Sequence, residues 1–181
     1  ITILSKISKS FIDELNWTEI VTSSVYFVRD LINTPSNDMT PSGLAKAAVS
    51  LKQKNLSVKI LEKKDAEKLG MGAYLSVAKG SKEPLKFIVL EYKSAKGKPT
   101  EAGKPLVLIG KSITFDSGGI SLKPSDGMEK MKYDMAGGAA VLGVLKAASV
   151  LKLPVNLIGI LPATENLPGG SATKPGDIAK A

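Results

Sequence analysis

The chain has 181 residues, of which 43% are apolar and 23% are charged, and it contains no cysteine and no histidine. This is the composition of one ordinary globular domain, which argues against disordered, collagen-like and fibrous classes. The missing residue types exclude a disulfide framework, a thiolate nucleophile, a Ser-His-Asp triad and a histidine zinc site. Any catalysis must therefore use carboxylates, lysines, hydroxyls or bound metals.

The formal net charge is +8, from 25 Lys and Arg against 17 Asp and Glu. A nucleic-acid partner would favour clustered basic residues with aromatic rings between them, but here the lysines are dispersed and aromatic residues make up only 5%. We interpret this charge as a solvated surface. No apolar run approaches the roughly 18 residues of a membrane span. The start lacks both a signal layout and a Met, so we expect the sequence to begin inside a longer protein.

The first half of the chain is predicted to form helices followed by strands. Apolar residues at spacings of three, four and seven indicate an amphipathic helix over residues 18–31. Thr40 followed by Pro41 is typical of a helix start and predicts a second helix to about Lys52. Strands are expected at residues 58–61 and 87–92, with short helical pieces at 65–69 and 73–78. Residues 94–104 resemble a polar loop.

The second half predicts a strand, a long loop, a helix and another strand. Residues 106–109 form a continuous apolar run, as expected for a strand buried on both faces of a sheet. Residues 110–131 are expected to be irregular, residues 135–152 helical, and residues 155–161 a second buried strand. This βαβ order makes the two strands parallel. The predicted fold class is α/β, with a mixed, largely parallel sheet flanked by helices.

Several chemically active side chains follow the strand at residues 106–109, where ligands gather at the carboxyl end of an open α/β sheet. They are Lys111, Asp116, Ser117, Lys123 and Asp134, interleaved with glycines. Asp-Ser-Gly-Gly by itself is more typical of an ordinary surface turn. A phosphate-binding loop fits poorly, because Pro at position 105 stands where that motif needs glycine and no helix begins at Lys111.

A divalent cation explains this pattern better, because Asp116 and Asp134 supply the carboxylates that such ions prefer. Asp134 lies just before a predicted helix whose dipole favours an ionised carboxylate. The glycines at 137 and 138 would allow close packing there. Lys111 is a ligand only if it loses its proton, and Lys123 is a candidate electrophile.

A specific resemblance to a known family rests on long motifs. The sequence resembles the leucyl aminopeptidase family of di-metal exopeptidases in the runs at residues 107–124, 128–139, 29–41, 75–80, 156–159 and 174–177. The similarity covers nearly all of the chain from about Arg29 onwards. It implies that residues 1–31 are the end of the N-terminal domain and its linker helix, and that residues 32–181 are the N-terminal half of the catalytic domain.

The resemblance implies a role for each candidate residue. Lys111 and Asp134 match ligands of one metal, Asp116 matches a carboxylate that bridges both metals, and Lys123 matches the catalytic lysine that polarises the scissile carbonyl. The implied cofactors are two divalent ions, Mn²⁺ or Zn²⁺, and a metal-bound hydroxide would attack the carbonyl. The implied substrates are peptides that lose an N-terminal, leucine-like residue.

The same resemblance implies a second acidic motif, Asn-Thr-Asp-Ala-Glu-Gly-Arg, soon after Asp177, whereas the chain stops at Ala181. Only three of the family's five metal ligands are then present, so we expect the chain alone to bind at most one metal weakly and to be poorly active. Glu165 and Asp177 match no family ligand. We interpret Glu165 as a loop residue at a strand end and Asp177 as part of a turn.

The family also implies a hexameric, cytoplasmic enzyme with no membrane association, which suits a chain without cysteine. A different class of function remains an alternative: a non-catalytic, DNA-binding or structural member of the same family. Salt-sensitive DNA retention without metal would favour that alternative, and metal-dependent peptide cleavage would favour the enzyme.

Overall fold

A computed structural model describes residues 8–95 and 104–180. Most of the predicted loop at 94–104 lies outside the described residues. The elements in chain order are helices α1 (Lys9–Asn33) and α2 (Pro41–Ser50), strand β1 (Leu56–Leu61), helices α3 (Lys63–Lys68) and α4 (Gly72–Ala78), strands β2 (Lys86–Tyr92), β3 (Leu106–Ile109) and β4 (Ser112–Asp116), a 3₁₀ helix (Met128–Tyr133), helix α5 (Ala136–Leu151) and strand β5 (Leu157–Asn166).

These strands form one mixed sheet in the order β1-β2-β5-β3, with β4 also paired to β5. The α/β class and the mixed sheet flanked by helices are confirmed. The pairs β1/β2 and β2/β5 are antiparallel, whereas β3/β5 and β4/β5 are parallel. The expectation of a largely parallel sheet was wrong, because most of the pairing is antiparallel. Parallel pairing is limited to the contacts of β3 and β4 with β5, where the crossover through α5 forces it. The sequence carried no comparable constraint on β1 and β2.

Strand β5 pairs along one edge with two successive strands. Residues 157–160 pair with β3, and residues 163–166 pair with β4. Strand β4 corrects the expectation that residues 110–131 are irregular throughout. The buried positions of β4 are Ser112 and Thr114, so its alternating pattern of burial is short and polar. Beside so many glycines, such a pattern does not predict a strand from the sequence.

Strand β3 is more exposed than its apolar sequence predicted. Leu106 is 54% exposed, Val107 is 46% exposed and Ile109 is 72% exposed. The expectation of burial on both faces was wrong, because β3 ends the sheet order and has only β5 beside it within the described residues. A continuous apolar run shows that a strand can be buried, but it does not show how many strands pack beside it.

The first turn of α5 packs directly on the junction between β3 and β4. A Cβ at position 110 would lie 2.5 Å from the Gly137 carbonyl oxygen, and one at position 138 would lie 2.1 Å from Ser112 Oγ. The Gly138 N–H donates to the Lys111 carbonyl oxygen at 2.8 Å. The predicted close approach at the paired glycines is confirmed, and this contact fixes where the chain turns at Lys111.

Helix α1 begins earlier than predicted, because the Ser8 side chain caps it by accepting from the Phe11 N–H at 3.2 Å. Its second half lies against α5 across an apolar hollow of about 320 Å³ lined by Val25, Val28 and Val144 among others. Within the described chain the stretch Met128–Leu151 is long and apolar enough to cross a membrane by length and composition alone. Half of its most apolar window is buried inside the fold, as in a core helix.

The Gly138→Ala substitution tests the contact between α5 and the sheet. Alanine alone would favour the helix by about 1 kcal/mol over glycine, but overpacking against Ser112 Oγ costs typically 1–3 kcal/mol. We therefore expect a net decrease in the free energy of unfolding, measured by urea denaturation. Gly170→Ala is the control, because nothing lies within 4 Å of its added methyl. A Gly138→Ala protein as stable as the wild type would contradict the close contact.

Candidate active site

Lys111 and Asp134 form the first of two ion pairs in this region. Lys111 follows β3, Asp134 follows the 3₁₀ helix, and Lys111 Nζ lies 2.7 Å from Asp134 Oδ2. The Lys111 side chain is 61% exposed, and ion pairs so open to solvent typically contribute only about 0.2–1 kcal/mol. The pair therefore does little to hold the fold together, and its place is set by the backbone.

The backbone around Asp134 is held on both sides. Its carbonyl oxygen accepts from the Ile113 N–H of β4 at 3.2 Å, and its own N–H donates to the Met131 carbonyl oxygen at 3.2 Å. Asp134 Oδ2 is buried, and no donor among the described residues meets hydrogen-bond geometry to it. The Lys111 ammonium therefore places its positive charge close to Asp134 Oδ2, but the two atoms are not aligned as in a hydrogen bond. A buried carboxylate oxygen with unused lone pairs is a ready cation ligand.

Asp116 and Lys123 form the second pair, at the carboxyl end of β4. Lys123 Nζ lies 2.9 Å from Asp116 Oδ2 and 3.1 Å from the Asp116 carbonyl oxygen, and it also contacts Met131 Sδ at 3.2 Å. The Lys123 N–H donates to the Ser117 carbonyl oxygen at 2.9 Å, which closes the loop after β4. Lys123 is therefore held more firmly than Lys111.

The other oxygen of Asp116 is held by neutral donors. Asp116 Oδ1 accepts from the Gly118 N–H at 2.9 Å and from Asn166 Nδ2 at 2.8 Å. Burial acts to raise the pKa of Asp116, but the hydrogen bonds from Lys123, Gly118 and Asn166 together outweigh it. The pKa of this carboxyl consequently lies below its ordinary value, and the group is ionised at neutral pH.

The two pairs share the same supports. Met131 contacts Lys123 and closes the turn that carries Asp134, while β4 carries Asp116 at its end and hydrogen-bonds Asp134 through Ile113. The structure thus joins Lys111 to Asp134 and Asp116 to Lys123 around one strand. No cluster of three or more acidic side chains suited to a metal occurs among the described residues.

The two later carboxylates lie apart from these pairs. Glu165 belongs to β5, so its placement in a loop was wrong; it is buried and accepts a hydrogen bond from Ser81 Oγ. Parallel pairing with β4 extends β5 further than its apolar run indicated. Asp177 closes a turn by accepting from the Lys174 N–H at 2.9 Å, as predicted.

Comparison with known proteins identifies the family. The model of the cytosol aminopeptidase family, catalytic domain, matches residues 26–181. The chain belongs to the cytosol aminopeptidase family. Three relatives, each named probable cytosol aminopeptidase, come from Aromatoleum aromaticum, Azoarcus sp. and Nitrosococcus oceani, with identities of 53%, 55% and 51%. Each match covers 88% of this chain but only 31–32% of the relative, so the chain spans about a third of their length.

Two contacts to Asp116 in the candidate site were not predicted from the sequence, namely those from Asn166 and the Gly118 N–H. Asn166 ends β5 opposite Asp116 in the parallel register. A polar residue at the carboxyl end of a buried strand is a signal for a site residue. That signal was hidden because β4 was not recognised as a strand, and without it no register connects residues 116 and 166.

Lys123→Met tests the electrostatics of Asp116 in the metal-free chain. With the largest lowering influence removed, burial remains and the pKa of Asp116 should rise towards or above its ordinary value of 3.8. A titration of the Asp116 carboxyl carbon by NMR measures this pKa directly. Lys132→Met is a matched control, because Lys132 Nζ donates to the Asn33 carbonyl oxygen and not to Asp116. An unchanged Asp116 pKa in Lys123→Met would show that the pair does not form in solution.

Proposed function

We propose that the whole protein is a metal-dependent aminopeptidase that releases N-terminal, leucine-like residues from peptides. The observation that carries this proposal is the pair of lysine–aspartate contacts around β4, in one of which a buried Asp134 oxygen meets the Lys111 ammonium but no aligned hydrogen-bond donor among the described residues. Membership in the cytosol aminopeptidase family supports the same activity.

The residues fit a divalent cation. Asp134 Oδ2 is buried without a hydrogen bond, and Asp116 Oδ2 faces only the ammonium of Lys123. Carboxylate oxygens together with a neutral amine from Lys111 form a donor set that Mn²⁺ and Zn²⁺ accept. A bound cation would supply Lewis-acid polarisation and activation of water.

The two lysines are suited to different tasks. Lys111 is largely exposed and forms an ion pair with Asp134, so its side chain is the less restrained of the two, and as a ligand it would have to be a neutral amine. Lys123 is held by both Asp116 and Met131. We assign Lys123 the role of donating a hydrogen bond to the peptide carbonyl oxygen as negative charge develops there.

The two-metal site and its setting belong to the same proposal. We propose that the whole protein binds two divalent ions and that this chain alone binds one weakly, because the candidate ligands among its described residues are two carboxylates and one amine, each carboxylate paired with a lysine. Low turnover by the chain alone follows. The word cytosol in the relatives' name supports a cytoplasmic location. The hexameric assembly, and the assignment of residues 1–31 to a linker and 32–181 to the catalytic domain, remain predictions.

Hydrolysis of leucine p-nitroanilide by the whole protein with Mn²⁺ tests the activity. We expect cleavage of the free-amine substrate and not of its acetylated form, and loss of cleavage after chelation. Asp116→Asn and Asp134→Asn should weaken Mn²⁺ binding, whereas Lys123→Met should lower kcat about 10²–10³-fold with Mn²⁺ still bound.

The control for Lys123→Met is Lys132→Met, because Lys132 lies on the 3₁₀ helix and its ammonium donates to the Asn33 carbonyl oxygen. It should retain wild-type turnover. Equal cleavage of acetylated and free substrates, or full activity in Lys123→Met, would refute the assignment. Metal-free, salt-sensitive DNA retention without any cleavage would favour the non-catalytic alternative.

Proton release gives a second test, independent of turnover. The Lys111 ammonium has no lone pair, so ligation through Nζ must release one proton per metal. Calorimetric Mn²⁺ titrations in buffers of different ionisation enthalpy measure that release. Lys111→Met should remove about one proton from the count and weaken binding. An identical proton count in wild type and Lys111→Met would show that Lys111 is not a ligand.

A further inference from the structure

Asn166 makes a side-chain contact that neither pairing nor packing requires. It ends β5, opposite Asp116 in the parallel ladder, and its Nδ2 donates to Asp116 Oδ1 at 2.8 Å. The backbone around it is already satisfied, because the Asn166 carbonyl oxygen accepts from the Ser117 N–H at 3.0 Å and from Ser117 Oγ at 2.8 Å. The amide is therefore directed at the carboxylate by a backbone that is held independently.

The orientation of the amide is also restricted from the other side. A Cβ at position 119 would lie 2.7 Å from Asn166 Oδ1, so only a glycine there leaves room for the amide in this orientation. Gly119 has φ +68°, a conformation that side chains rarely adopt. Turning the amide over would bring two oxygens together at Asp116. The donor thus points at Oδ1 in one fixed direction.

The two oxygens of Asp116 have different kinds of partner. A carboxylate oxygen has about two lone-pair sites, and Oδ1 uses both on the Gly118 N–H and Asn166 Nδ2. Oδ2 instead faces the Lys123 ammonium, a point charge at the end of a flexible side chain. Such an ammonium can share Oδ2 with a cation by a small shift, whereas the Gly118 N–H and the Asn166 amide remain on Oδ1.

We propose that Asn166 is a positioning residue for metal binding, which holds Oδ1 of Asp116 so that Oδ2 is the oxygen presented to the cation. This inference rests on the proposed metal-dependent function. Groups that orient a metal ligand from behind typically change metal affinity 10–100-fold when they are removed. Asn166 itself touches neither the cation nor the substrate in this assignment.

Mn²⁺ binding to Asn166→Leu and Asn166→Ala tests the proposal. Leucine keeps the approximate size of the side chain and removes the donor, and alanine removes both. We expect the dissociation constant for Mn²⁺, measured by electron paramagnetic resonance, to rise 10–100-fold in both variants. The difference infrared spectrum on adding Mn²⁺ supplies a second readout, because freeing Oδ1 should change how the Asp116 carboxylate coordinates the ion.

Asn156→Leu is the matched control. Asn156 lies directly before β5, at the strand's opposite end, where its Oδ1 accepts from the Ser94 N–H at 3.0 Å. This substitution removes one side-chain hydrogen bond to the same strand but should leave Mn²⁺ affinity and the carboxylate spectrum unchanged. Comparing urea unfolding of both leucine variants separates loss of stability from loss of metal affinity.

The outcomes distinguish the positioning role from the proposed function. Weakened Mn²⁺ binding with an altered carboxylate band in the Asn166 variants, against an unchanged control, supports the proposal. Wild-type affinity and spectrum in folded Asn166→Leu overturn it while leaving the function intact, provided that Asp116→Asn has lost the ion. If Asp116→Asn binds Mn²⁺ as tightly as the wild type, both the metal site and the role of Asn166 are refuted.

Discussion

The position of every candidate residue depends on the interruption between β3 and β4 where α5 packs against it. Strand β5 accepts both segments on one edge, and the glycines at 110, 137 and 138 let the helix approach the junction closely. Lys111 leaves the sheet at this break, and Asp134 enters immediately before the helix that causes it. A single steric condition, the absence of three side chains, therefore brings a lysine and an aspartate together from opposite ends of a long loop.

Local sequence signals predicted the helices, whereas strand β4, which depends on pairing with β5, could not be predicted. Helices α2 and α5 were readable because Thr40-Pro41 is a strong start signal and because α5 is apolar over most of its length. Strand β4 was not readable, since its buried positions are Ser112 and Thr114 and its identity as a strand comes from β5 beside it. The burial of β3 was overestimated, because its apolar sequence does not reveal how many strands lie beside it in the folded sheet.

The residues of the candidate site also differ in whether the sequence alone predicts them. Asp116, Lys123, Lys111 and Asp134 were found because their residue types and motif are informative without any structure. Asn166 was not found, because an asparagine at a strand end has no chemical signature until the register sets it against Asp116. Residues that act through another residue are identified by contact, and contacts across fifty positions depend on pairing that local sequence does not encode.

In the proposed metal-bound state, charge balance would affect the two lysines differently. Without metal, two aspartates face two lysines, so the local charge is close to zero. A dication would leave an excess positive charge in a partly buried region unless one lysine left or lost its proton. Lys111 has one ionic contact and extensive exposure, while Lys123 is also held by the Asp116 carbonyl oxygen and Met131 Sδ. In the proposed metal-bound state, Lys111 is therefore the lysine expected to yield, and Lys123 would keep the position in which its three contacts hold it.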